Sequence, residues 1–129
     1  MTAKEYLQQY GESMARTQAV TEHLRQLRET AENLRGEQGQ RIALDAAVAA
    51  LVDAQEQTAA ELSRLEAFRS EVRRLIDTVP DAKEWTILTE RYINGLKWEE
   101  IAVKMHLDYR WVLRLHGRAL QTVGEHFDH

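Results

Sequence analysis

Apolar residues recur along this chain at steps of three and four, the period of an α-helix that hides one face and wets the other. From Thr2 to Leu34 the stripe runs Leu7, Tyr10, Met14, Thr17, Thr21, Leu24, Leu27, Ala31 and Leu34. That spacing predicts one continuous amphipathic helix with a thin apolar face. Gly36 and Gly39 bracket a break, with Gly36 placed as a helix C-cap. A second stripe follows through Leu44, Val48, Leu51, Thr58, Leu62, Leu65, Phe68, Val72, Leu75 or Ile76, and Val79, interrupted by Gln55. Two such helices joined by a short loop would each extend on the order of 50 Å and favour an antiparallel hairpin.

Pro80-Asp81 then punctuates the chain, and Asp81 with Glu84 three residues on reads as a capping box for a third helix. That helix carries Trp85, Leu88 and Tyr92 and ends at Asn94-Gly95, a left-handed cap signal. A fourth helix, Trp98 to Met105, buries Ile101, Ala102 and Met105. After the turn His106-Leu107-Asp108, Asp108 caps a fifth helix from Tyr109 to about Val123, with Val112, Leu115 and Ala119 inside. The expected architecture is all-α: a long helical hairpin over residues 1–79 and a compact three-helix unit over 81–129.

Composition agrees with helices and narrows the setting. There is one proline and six glycines, and no apolar run approaches the length that spans a bilayer. With no cysteine the chain lacks a disulfide framework and any thiolate metal site, which fits a cytoplasmic protein with no membrane association. The net charge is −4. Residues 1–80 hold 10 Lys and Arg against 13 Asp and Glu, and residues 81–129 hold 7 against 8. A surface for an anionic partner must therefore come from segregation of charge within the C-terminal part.

The fifth helix shows that segregation. Arg110, Arg114 and Arg118 stand at four-residue spacing, which lines their guanidinium groups along one face, and no acid occurs from Tyr109 to Gly124. A short helix, a three-residue turn and a second helix with a cationic face fit a helix-turn-helix whose second helix enters the major groove of double-stranded DNA. Arg110 and Arg114 are the candidates for base edges or adjacent phosphates, the alternative being surface pairing with Glu99, Glu100 or Glu125. Tyr109 can reach a phosphate or a thymine methyl, or pack. Arg118, two turns beyond Arg110, suits the DNA backbone, and Lys97 and Lys104 can flank the groove or simply face water.

The order and spacing of Arg91-Tyr92, Gly95-Leu96, Glu99-Glu100-Ile101-Ala102, the turn His106-Leu107-Asp108, and Val112, Leu115 and Ala119-Leu120 resemble region 4 of the sigma-70 family. They are also similar to a phage and prophage family of short proteins with a long helical N-terminal hairpin, related to late-transcription activators. The specific match covers about 40 residues. It implies a DNA-binding transcriptional regulator acting near a promoter, with RNA polymerase as a partner, and nothing in the chain resembles the region that melts promoter DNA. Three positions depart from the pattern: Lys97 stands where such motifs carry a Thr or Ser N-cap, and Trp111 and Leu113 stand where sigma proteins carry charged residues. Leu113 is thus a site position of altered chemistry.

Other chemistry is sparse. Trp85, Trp98 and Trp111 read as packing residues, and an exposed Trp111 would point to a protein contact. His126 and His129 have no rigid companions for a four-ligand metal site, so no metal and no cofactor is expected. No phosphate-binding loop and no nucleophile–base spacing marks an enzyme. The thin stripe of the N-terminal helices leads to an expected homo-oligomer through that region, against a solvated spacer. The competing class is a helical assembly or protein-interaction module, like a packaging adaptor, in which the helix-turn-helix is structural.

Overall fold

The computed structural model describes residues 1–35 and 41–127, and among them the chain is helical with no strand. The helices are α1 (Ala3–Leu34), α2 (Arg41–Ile76), α3 (Ala82–Leu88), which runs on into a π-helical segment Thr89–Ile93, α4 (Trp98–Met105) and α5 (Tyr109–His126). Gly36 and Gly39, expected to separate the first two helices, lie outside the described residues. No helix among the described residues is long and apolar enough to cross a membrane.

The chain forms two compact units. The first joins residues 1–12 to residues 67–129, and so is larger than the segment after Pro80. Its extra parts belong because their side chains are core: Leu7, Tyr10, Val72, Leu75 and Ile76 are all buried to within 2 % of full exclusion. Phe68 sits 5.0 Å from the Tyr6 ring and 5.5 Å from the Tyr10 ring, and Phe127 lies 5.2 Å from Tyr6, within the range of favourable aromatic pairs. Within this unit the start of α1 therefore meets the end of α2. Burial raises the Tyr6 phenol above its ordinary range, with Glu71 adding to the effect.

Deeper in the same unit, Ile87, Ile101, Ala102, Val112 and Leu115 form one apolar cluster with Leu96, Trp98, Met105 and Leu107 against it. The helix ends are defined by their caps. Asp81 accepts the Glu84 N–H at 2.9 Å, Gly95 adopts φ 71, and the Leu96 N–H reaches back to the Glu90 carbonyl at 3.0 Å.

The second unit is residues 13–66. Thr17, Ala31, Ala54 and Thr58 are its buried residues, flanked by half-buried Leu24, Leu27, Leu34, Leu44, Ala47, Leu51 and Leu65. This corrects the stripe read along α2. The inward positions are 44, 47, 51, 54, 58, 61 and 65, steps of three and four in strict alternation, while Val48 and Leu62 stay 46 % and 49 % exposed and Gln55 faces water. In α1 half-buried Val20 replaces exposed Thr21, which continues the same alternation. A seven-residue repeat is the seam of a coiled pair, and here leucines share it with small residues, Ala47 and Ala54 standing inward where the larger Val48 does not. Buried Thr17 satisfies its hydroxyl on the Ser13 carbonyl at 2.9 Å, and exposed ion pairs such as Arg25 with Glu22 at 2.6 Å line the outside.

Candidate nucleic-acid interface

The C-terminal helices are set by local chemistry at each junction. Lysine has no acceptor, so Lys97 cannot cap α4 with its side chain; instead the Glu100 carboxylate reaches back and accepts the Lys97 N–H at 2.9 Å. At the far end His106 takes φ 55, the left-handed conformation that ends helices, and the Leu107 N–H bonds the Ala102 carbonyl at 3.0 Å. Leu107 then turns into the core cluster, and Asp108 accepts the Arg110 N–H at 2.8 Å to start α5. One residue pins the turn from inside while its neighbours stay outside.

Helix α5 is two-faced. Val112, Leu115, His116, Ala119 and Val123 are buried, and Tyr109, Arg110, Trp111, Leu113, Arg114, Gly117 and Arg118 are exposed. The exposed group includes five of the expected site residues, Tyr109 at 42 % and Leu113 at 38 % among them. Among the described residues neither Arg110 nor Arg114 makes an ion pair, so the alternative of pairing with Glu99, Glu100 or Glu125 does not occur. Their guanidinium groups stand in water with no acid on the helix beside them.

The outlying cations behave differently. The Arg118 guanidinium lies 5.4 Å from the centre of the Trp111 ring, a cation–π stack on the edge of the exposed face. Burial raises the Glu84 carboxyl, Asp81 adds to the rise, and Arg118 offsets part of it. Lys97 is exposed at the head of α4. The Lys104 ammonium is held 3.0 Å from the carboxylate of Glu90, which is 8 % exposed in the π-helical segment. Lys104 therefore pairs with a buried carboxylate of its own unit while its own side chain stays 58 % exposed.

Several important residues escape a reading of the sequence. His116 is buried; its Nε2 lies 2.8 Å from the Tyr92 hydroxyl, and Trp98 meets its ring edge-on at 4.5 Å between centres. The Arg91 guanidinium lies over the Trp98 ring at 4.4 Å from its centre and donates to the Leu96 carbonyl at 3.1 Å. Burial pushes the Tyr92 phenol up to about 12 and the His116 imidazole down to about 4, with Lys4 and Arg91 helping to keep the histidine neutral. The signal was present in the period: 112, 115, 116, 119 and 123 form one helix face, and His116 lies on it. Trp85 is 39 % exposed and donates its indole N–H to Asp77 at 2.9 Å.

Among the described residues no group of three or more His, Asp or Glu is placed to hold a metal ion; His126 faces the Thr122 carbonyl at 3.0 Å, and His129 lies outside them. No protein-family model, curated protein or solved structure matches the chain, so the chemistry of this face is read from its own residues.

Proposed function

We propose that the chain is a DNA-binding transcriptional regulator, with α4, the turn at residues 106–108 and α5 acting as a helix-turn-helix of the sigma-70 region 4 kind. The observation that carries this is the unpaired cationic face of α5. Arg110 and Arg114 point away from a fully buried side, in the N-terminal half of the helix, with exposed Tyr109 and Leu113 beside them. In such motifs that half of the second helix presents side chains to base edges in the major groove. Arginine there pairs with guanine O6 and N7, and the apolar neighbours suit a thymine methyl. Arg118 serves the phosphate backbone and Lys97 approaches it from the head of α4, whereas Lys104 is committed to Glu90. The phage-type resemblance adds a promoter context, RNA polymerase as a partner and action in the cytoplasm, with the helical hairpin of α1 and α2 pairing two copies.

Anisotropy titration of the full chain against a labelled pool of random-sequence duplexes, at two salt concentrations, tests the reading. Binding should weaken steeply with salt, and Arg110→Ala and Arg114→Ala should each lower affinity at least tenfold and flatten the salt slope by about one charge, with helicity intact. Wild type without affinity at low salt refutes it.

A second reading, a helical assembly module, is favoured by one observation. Val48, Val52 and Leu62 on α2 are 46 %, 47 % and 49 % exposed, an apolar line on the outside of the second unit. In that reading the protein retains partner binding in both arginine variants.

A further inference from the structure

Gly117 has no evident reason, within the fold, to be glycine. It is exposed in the interior of α5, its φ is not in the left-handed region, and a Cβ built there meets nothing within 4 Å. Glycine is a poor helix former, so in terms of folding alone alanine would serve better. Its position is informative. Arg110, Arg114, Gly117 and Gln121 follow at steps of four, three and four, all exposed and opposite the buried line of Val112, Leu115, Ala119 and Val123. Gly117 is thus a bare stretch of backbone in line with the unpaired guanidinium groups, and half-buried Gly124, two turns on, is the next on this side.

We propose that Gly117 is where the sugar–phosphate backbone of DNA crosses α5, an assignment that rests on the reading of α5 as a groove-entering helix. Without a Cβ, a partner's backbone can approach the helix closer by about one carbon–carbon bond, ~1.5 Å. Gly117 lies about 10 Å along the helix axis from Arg110, and the major groove is roughly 12 Å wide. A helix whose first turns sit at the base edges therefore reaches the groove wall near this residue. Arg114 and Arg118 flank it and supply charge to the same phosphates. Gly11 is the internal control. It too is exposed inside a helix with open space around it, but on α1, where no cationic face accompanies it.

The test compares Gly117→Ala, Gly117→Leu and Gly11→Ala in the full chain, by thermal melting and by anisotropy with the same duplex pool. Gly117→Ala should raise the melting temperature by about 4 °C and weaken DNA binding roughly tenfold, with an unchanged salt slope because no charge is lost. Gly117→Leu should weaken binding further, and Gly11→Ala should raise the melting temperature and leave binding alone. If Gly117→Ala binds as wild type does while Arg110→Ala is impaired, this assignment falls and the DNA reading stands. If wild type itself has no affinity for DNA, both fall.

Discussion

Acidification should loosen the C-terminal unit through one residue, His116. The perturbation is a fall in pH from 7.5 to 4. In the folded chain His116 is buried against Tyr92 and Trp98, near Lys4 and Arg91, and its imidazole is pushed from 6.5 down to about 4. The Tyr92 phenol, raised to about 12, stays protonated and can donate to Nε2, so a proton arriving on Nε2 displaces that bond. The unfolded chain takes up this proton near pH 6.5 and the folded chain resists it until about 4. Between those values the unfolded state binds more protons, so stability is complete above 6.5 and is lost as pH falls towards 4. A difference of that size corresponds to about 3 kcal/mol, and partial solvent screening at the ring edge brings the expected loss to about 2 kcal/mol. Urea midpoints measured across the window for wild type and His116→Gln check it. Glutamine can still bond the Tyr92 hydroxyl but does not titrate, and the carboxylates common to both proteins cancel in the difference. The variant should lose about 2 kcal/mol less than wild type between pH 6.5 and 4. Parallel pH profiles, or a His116 ring that titrates at 6.5 by NMR, would refute the reasoning.

Two further outcomes follow from the cations and from α2. Lys104→Ala should cost about 1–2 kcal/mol of stability, because it strands the buried Glu90 carboxylate, yet leave the salt slope of DNA binding unchanged; a flattened slope would return Lys104 to the DNA face. If two copies pair through the exposed line of α2, light scattering of the full chain should give twice the monomer mass, and Val48→Glu with Leu62→Glu should halve it. A wild-type monomer at every accessible concentration would remove pairing from the proposed function.

Junctions between helices were legible because each is set by one or two residues. Asp81 and Asp108 cap α3 and α5, Asn94-Gly95 closes the segment after α3, and Val112, Leu115 and Ala119 form the inner face of α5 as their spacing implies. The phase of α2 was not, because the apolar weight of Val48 and Leu62 outvotes Ala47 and Ala54 when residues are ranked by hydrophobicity. Packing between two helices instead rewards whichever side chains let them approach. Charge partners were equally hidden. Glu90 and Lys104 are fourteen residues apart, and the carboxylate that meets α4 stands in a π-helical turn, a departure from the 3.6-residue period on which a sequence reading relies. The core role of His116 was within reach of the pattern, but a titratable residue beside three arginines invites a surface assignment. At the exposed face, Tyr109, Arg110, Leu113 and Arg114 were readable together, since four-residue spacing is a property of the helix itself.

The seam of alanine and threonine in the second unit has a thermodynamic consequence. Thr17, Ala31, Ala54 and Thr58 remove little hydrocarbon from water, and the Thr58 hydroxyl is buried without a hydrogen-bond partner among the described residues. Hydrophobic free energy scales with the carbon surface hidden, so these four positions gain little, and the half-buried Leu24, Leu27, Leu34, Leu44, Leu51 and Leu65 supply most of what the seam gains. Small side chains do something else well: they admit only a narrow range of distances and registers. Those four positions are a gauge more than a reservoir, holding two helices at a set separation while adding little energy of their own.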